Sequence, residues 1–258
     1  MNSKSLKILV IIFTVVVLLL PGESQATSSL GAVDISMTGF YAYDIMEIWA
    51  GDYVQGTTTH SGISMLEKTY GYDEGNLWAN GPIGGVCIEL SEAPSNDLLR
   101  YSVIMPEDGP DPSGGSLGYT KANYLRELWG RYYDSSWATH SYSEADKIFA
   151  AAFSAAVKEI VHEALPGSVY GWDVTVDGTD GDEGFRIDYD YASIANMMLY
   201  SLDGTGPMAD LRVFSYDGAQ DYLVEVPEPA TMMLLGLGGA FGLLRRKKST
   251  ARKADSQS

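Results

Sequence analysis

Two apolar runs bracket this chain, and they constrain it more than any other feature, because whatever lies between them has to fold on one side of a membrane. Ile8 to Leu20 is almost unbroken and is preceded by Lys4 and Lys7; Ala230 to Leu244 carries no charge and is followed by Arg245-Arg246-Lys247-Lys248. Positive charge holds both flanks on the cytoplasmic side, so the middle of the chain belongs outside. The first run is closed by Pro21-Gly22 after thirteen residues, against the roughly twenty of a comfortable span. Ser24-Gln25-Ala26 then ends in the small-x-small pattern of a signal peptidase site, which predicts a signal peptide over residues 1–26, cut after Ala26. An uncleaved anchor is the alternative.

The second run is also short. Fifteen residues make a helix of about 22 Å, less than the roughly 30 Å of a hydrocarbon core, so the predicted transmembrane helix is a weakly held stop. Val226-Pro227-Glu228-Pro229 precedes it. Two prolines fix φ and remove two backbone donors, which keeps this segment extended at the membrane face, the form a protease binds. An ordinary tail anchor behind a proline-containing linker is the other reading.

The ordered set of Val226-Pro227-Glu228-Pro229-Ala230-Thr231, apolar helix and basic cluster resembles the PEP-CTERM sorting signal. The resemblance covers about thirty residues. It implies that an exosortase reads and cuts the segment, that the protein belongs to the surface or extracellular matrix of a Gram-negative bacterium, and that it associates with exopolysaccharide or biofilm. The implied organisation is a signal peptide at 1–26, an extracellular domain at 27–225, a sorting signal at 226–250 and a disordered tail at 251–258. Signal peptidase and exosortase are the implied processing partners, with an inner-membrane intermediate before release.

Residues 27–229 hold nine Lys and Arg against thirty-two Asp and Glu, a net charge of −23. Such a surface repels nucleic acid and other polyanions. About two hundred residues is one domain with room for a real core, and abundant Tyr and Trp argue against disorder. Cys87 is the only cysteine, so no internal disulfide is available.

Periodicity predicts three helices. One is capped by Thr120 and carries Tyr124, Leu125, Leu128, Trp129 and Tyr132; a second runs from Ser143 to about Ala164 behind a Ser143/Asp146 capping pair, with Phe149, Phe153, Ala156, Ile160 and Ala164 on its apolar face; a third spans Tyr191 to Leu202. Strands are predicted at Met37 to Tyr43, Gly85 to Leu90, Arg100 to Met105, Ser168 to Val176, Phe185 to Tyr189, Leu211 to Phe214 and Tyr222 to Val226, with a Pro- and Gly-rich loop over Pro106 to Gly118. The expected fold class is α+β: a β-rich single domain with about three helices.

Two central segments widen the resemblance. Gly85-Val86-Cys87-Ile88-Glu89-Leu90 is similar to the Cys-bearing strand, and Ala150 to Ile160 to the Gln-bearing helix, of thioester-domain surface adhesins and of many PEP-CTERM ectodomains. Ser154 stands where the glutamine would be and Lys158 where the tryptophan would be. A hydroxyl has no carbonyl carbon, so Cys87 and Ser154 form no thioester. Cys87 then reads as a remnant thiol or a buried strand cysteine.

The acidic stretch with Asp177, Asp180 and Asp182 is a candidate for calcium, the one cofactor in view. It is not an EF-hand, since Asp173 at position one puts Gly184 where a bidentate Glu is required. His162-Glu163 is followed by Pro166 in place of the second zinc-motif histidine, and there is no phosphate-binding Gly-rich loop and no Gly-x-Ser-x-Gly elbow. The chain reads as a non-enzyme. The alternative function is an adhesin module that presents Trp129, Tyr132, Tyr133 and Trp137 to a carbohydrate.

Overall fold

The computed structural model describes residues 28–51, 54–176 and 184–228, with Tyr189 described in its backbone alone. The expected signal peptide, Pro229, the apolar run before Arg245, Arg246, Lys247 and Lys248, and the acidic residues Asp177, Asp180 and Asp182 lie outside these residues. Among the described residues, no helix is long and apolar enough to cross a membrane.

The chain opens with two strands of twenty residues each, β1 (Gly31–Ala50) and β2 (Val54–Asp73), paired antiparallel along nearly their full length. Then come β3 (Gly81–Cys87), β4 (Leu99–Ile104), helices α1 (Gly118–Tyr132) and α2 (Glu144–His162), β5 (Phe185–Ile187), α3 (Tyr189–Tyr200), β6 (Leu211–Tyr216) and β7 (Ala219–Glu225). Neighbouring strands run in the order β2-β3-β7-β6-β4-β1-β5, and β1 also pairs with β2. Six strands therefore close into an antiparallel barrel, which leaves those six without a free edge. The short β5 extends the sheet at the far end of β1, with Ile48 opposite Ile187.

Strand alternation divides the barrel wall between two cores. Val33, Ile35, Tyr101, Val103, Phe214, Tyr222 and Val224 fill the interior together with Trp78. Ile63, Val86, Ile104, Val213 and Leu223 face outward and meet the helices. Each fully buried side chain of this size stabilises the fold by roughly 1.5–3 kcal/mol. The long strands bend because their register shifts at four places. Gly62 marks the tightest: its φ is +150°, and a Cβ there would sit 2.3 Å from the Ala42 carbonyl oxygen.

Helix α2 starts as its sequence predicts. Ser143 accepts from the Asp146 amide, and the Asp146 carboxylate accepts from the Ser143 amide, a closed capping box. Its residues Ala150 to His162 are all buried, because the barrel covers one side and α1 and α3 the others. Phe149, expected on the apolar face, is instead 43% exposed in the first turns, before the helix goes under cover.

Other expectations are corrected. The segment Ser168 to Val176 is not a strand but a 3-10 turn at Val169–Gly171 followed by coil, with Trp172 and Val174 inserted into the helical core. Thr120 lies inside the first turn of α1, which begins at Gly118. Most of β1 and all of β2 went unpredicted, since their Thr, Gly and Ser residues break the alternation that marks a strand. The α+β class and the single domain with three helices agree with expectation.

Candidate functional site

The barrel ends where the predicted sorting segment begins. β7 pairs with β3 and β6, and its last residue, Glu225, lies opposite Leu211. The Trp78 indole donates to the Glu225 carbonyl oxygen at 2.8 Å, and the Trp129 indole donates to the Glu225 carboxylate at 3.2 Å. Burial pushes the Glu225 carboxyl up, partly offset by the Trp129 bond. Val226 makes one last backbone bond, from its amide to the Asp210 carbonyl at 2.8 Å, and packs against the barrel core. Pro227 and Glu228 are already exposed. No spacer separates the folded domain from the Pro-Glu-Pro words.

A second polar group lies inside the molecule, on α2. Ser154 and Lys158 sit one turn apart, and the Lys158 amine donates to the Ser154 hydroxyl at 2.7 Å and to Ser61 of β2 at 3.3 Å. Lys158 is 3% exposed and has no ion pair among the described residues. Burial lowers its pKa, and the Cys87 thiol, near enough to be felt, acts in the opposite sense. A turn further on, the ring nitrogen Nε2 of His162 lies 3.0 Å from the Ile88 carbonyl. That nitrogen must therefore carry the proton. Burial drives the His162 pKa down to about 3, so the ring is neutral.

Cys87 and Ser154 are brought to neighbouring elements, since β3 and α2 pack together. Their chemistry stays separate. The Cys87 thiol donates to the Glu89 carbonyl at 3.0 Å, while the Ser154 hydroxyl is held by Lys158. Burial pushes the thiol up to about 12, despite the Lys158 charge, so it is protonated and unreactive. Sequence reading missed that Lys158 and His162 belong to the core. The signal was there in Ala150-Ala151-Ala152-Phe153, which sets apolar residues on every face of one helical turn.

The aromatic cluster assigned to a sugar platform is core instead. Trp129 stacks on Tyr133 at 4.5 Å, and Phe153 meets Trp129, Tyr133 and Trp137 at 5.3 to 6.0 Å. The Tyr132 hydroxyl is spent on Ser201 at 2.7 Å. Of the acidic stretch, Asp173 is engaged by Thr175 and by the Asn196 amide at 2.7 Å. Among the described residues, no group of three or more His, Cys, Asp or Glu is placed to hold a metal.

No curated protein and no solved structure matches this chain. One family model does, described as the PEP-CTERM protein-sorting motif, and it covers residues 225–248. It starts at Glu225, the residue held by Trp78 and Trp129, so the edge of the match and the edge of the barrel coincide. The chain carries a PEP-CTERM protein-sorting motif at residues 225–248, the mark of an exported protein that an exosortase processes.

Proposed function

We propose that this is a non-enzymatic surface or extracellular-matrix protein: exported through its N-terminal segment, held at the inner membrane by its C-terminal apolar run, cut near Pro227 to Pro229 and passed to an exopolysaccharide or biofilm matrix. The observation that carries the reading is the boundary at Glu225. The barrel is complete at Glu225, the first residue of the motif, so a cut beyond Val226 removes no strand, no core side chain and no hydrogen bond of the sheet. The exposed, proline-fixed segment is what a membrane protease can grip, and the closed barrel suits a product released among other proteins. A non-enzymatic role is supported by the burial of Ser154, Lys158, Cys87 and His162, which keeps these nucleophiles and bases among core side chains.

Replacement of Pro227, Glu228 and Pro229 by alanine tests the sorting step. The variant is expected to remain full-length in the membrane fraction, while the wild type appears as a shorter, released species. Processing and release of the variant at the wild-type rate would overturn the reading. The adhesin alternative is favoured by a separate observation, an open tyrosine-lined groove on the helical side of the domain.

A further inference from the structure

The ends of α1 and α3, the 3-10 turn at Val169–Gly171 and the loop after α3 enclose a groove of about 570 Å³. That volume falls within the roughly 300–1,000 Å³ of small-molecule sites. Tyr170 projects from the turn with 74% of its surface exposed, and its ring centre lies 5.8 Å from that of Tyr200, the last residue of α3. Tyr124 of α1 forms a third wall, braced edge-on against the buried Trp172 at 6.0 Å. Exposed rings grouped around a concave surface cost solvation unless something covers them.

The groove also holds unspent polar atoms. The hydroxyls of Tyr124, Tyr170 and Tyr200 form no hydrogen bond among the described residues. Asn123 uses its carbonyl oxygen on Arg126 and leaves its amide NH2 free, and Asp203 uses Oδ1 on Thr205 and Arg131 and leaves Oδ2 free. Donors and acceptors thus line the groove together with apolar ring faces.

The wall bearing Asp203 is prebuilt. Glu127, buried in α1, accepts from the amides of Asp203, Gly204 and Gly206 at 3.3, 2.8 and 3.0 Å and from Arg131 at 2.7 Å. Burial works against ionisation of this carboxyl, but these four donors outweigh it and hold its pKa below the ordinary value. Gly130 lets the same loop lie directly on the helix, since a Cβ there would stand 2.2 Å from the Pro207 carbonyl oxygen. A loop fixed before binding loses little entropy when it binds.

We infer that this groove is a saccharide-binding site, which takes a short neutral oligosaccharide with an equatorial, β-linked backbone. Sugars of that shape present flat C–H faces for Tyr170 and Tyr200 and a belt of hydroxyls for Asn123, Asp203 and the tyrosine hydroxyls. Among the described residues that line the groove there is no Lys or Arg, and the arginines beside it are paired, Arg126 with Glu107 and Arg131 with Glu127 and Asp203, so no free cation awaits a uronate. The acidic surface also repels one.

Isothermal titration of the full chain with a β-1,4-linked glucose tetramer, and with a galacturonate tetramer of equal length, tests the site. Binding of the neutral tetramer is expected, with no heat from the uronate. The variant with Tyr170→Ala and Tyr200→Ala should lose at least tenfold in affinity, and the one with Tyr170→Phe and Tyr200→Phe should retain most of it. Both positions are exposed, and matching thermal midpoints verify that the variants fold. Failure to bind the neutral tetramer, undiminished binding by the double alanine variant, or preference for the uronate would each overturn the proposal. None of these outcomes bears on the processing of the sorting motif, which is read from chain length and membrane retention.

Discussion

Lys158 shows how much one residue can cost a fold. Its amine is out of water and bonded to two neutral hydroxyls, with no carboxylate in ion-pair range among the described residues. A buried ammonium without a counter-charge is expensive, so burial lowers the pKa of this amine in the folded state. Lys158→Met keeps the length of the side chain and removes the polar head. We expect a variant as stable as the wild type or more so at neutral pH, because Ser154 can turn its hydroxyl back onto the helix carbonyl one turn earlier. The ordinary lysine pKa is 10.5 and the folded one is lower. Below pH 10.5 the unfolded chain binds a proton that the folded chain resists, and the advantage of the variant should grow as pH falls from that point. Urea midpoints at pH 7 and pH 10 measure both effects. A loss of several kcal/mol at both pH values would mean that the amine is an essential strut.

The long ribbon of β1 and β2 depends on its glycines. Gly39 and Gly62 share the same φ of +150°, which ordinary residues rarely adopt. A Cβ at Gly39 meets nothing within 4 Å, whereas at Gly62 it meets the backbone of Ala42 and Tyr43 at 2.3 and 2.6 Å. Gly39→Ala should therefore cost only backbone strain, about 1–3 kcal/mol. Gly62→Ala adds a clash with main chain that cannot rotate aside. Thermal unfolding of the two variants is expected to separate them clearly, with Gly62→Ala the worse; equal effects would mean that the bend in β1 absorbs the clash. Helix α2 was legible in the sequence because Ser143 and Asp146 cap it locally. β2 was not, because its twenty residues are held in a strand by partners rather than by propensity.

At the scale of the whole molecule, two buried groups pull the pH dependence in opposite directions. His162 is neutral in the fold, with a pKa near 3 against an ordinary 6.5. The stability it contributes is complete above pH 6.5 and is lost as pH falls toward 3, at up to about 1.4 kcal/mol per unit. Asp221 is buried in the wall of the barrel, where it accepts from the Tyr216 amide at 2.8 Å, and burial raises its pKa to about 7 from 3.8. Its ionisation destabilises the fold as pH rises from 3.8 through 7. Asp221→Asn keeps the acceptor for Tyr216 and should gain on the wild type steadily from pH 4 to pH 7. His162→Gln keeps a donor for Ile88 and should show a shallower acid limb below pH 6.5. Urea midpoints between pH 4 and pH 7 measure both slopes, and slopes parallel to the wild type would show that neither group carries the effect.

The sequence alone determined what is written in contiguous residues. The sorting words before an apolar run, the net acidity of the middle and the cap of α2 each act within a few residues of themselves, so no partner was needed to read them. Only the tertiary structure decided which side chains are inside. Whether Trp129 serves a ligand or the core, whether Lys158 meets water or Ser61, and whether Tyr170 stands beside Tyr200 depend on segments tens of residues apart. Barrel closure by β1 with β2 and β4 is what sets those distances. Burial and register are properties of pairs of segments, and a single stretch of chain holds only one member of each pair.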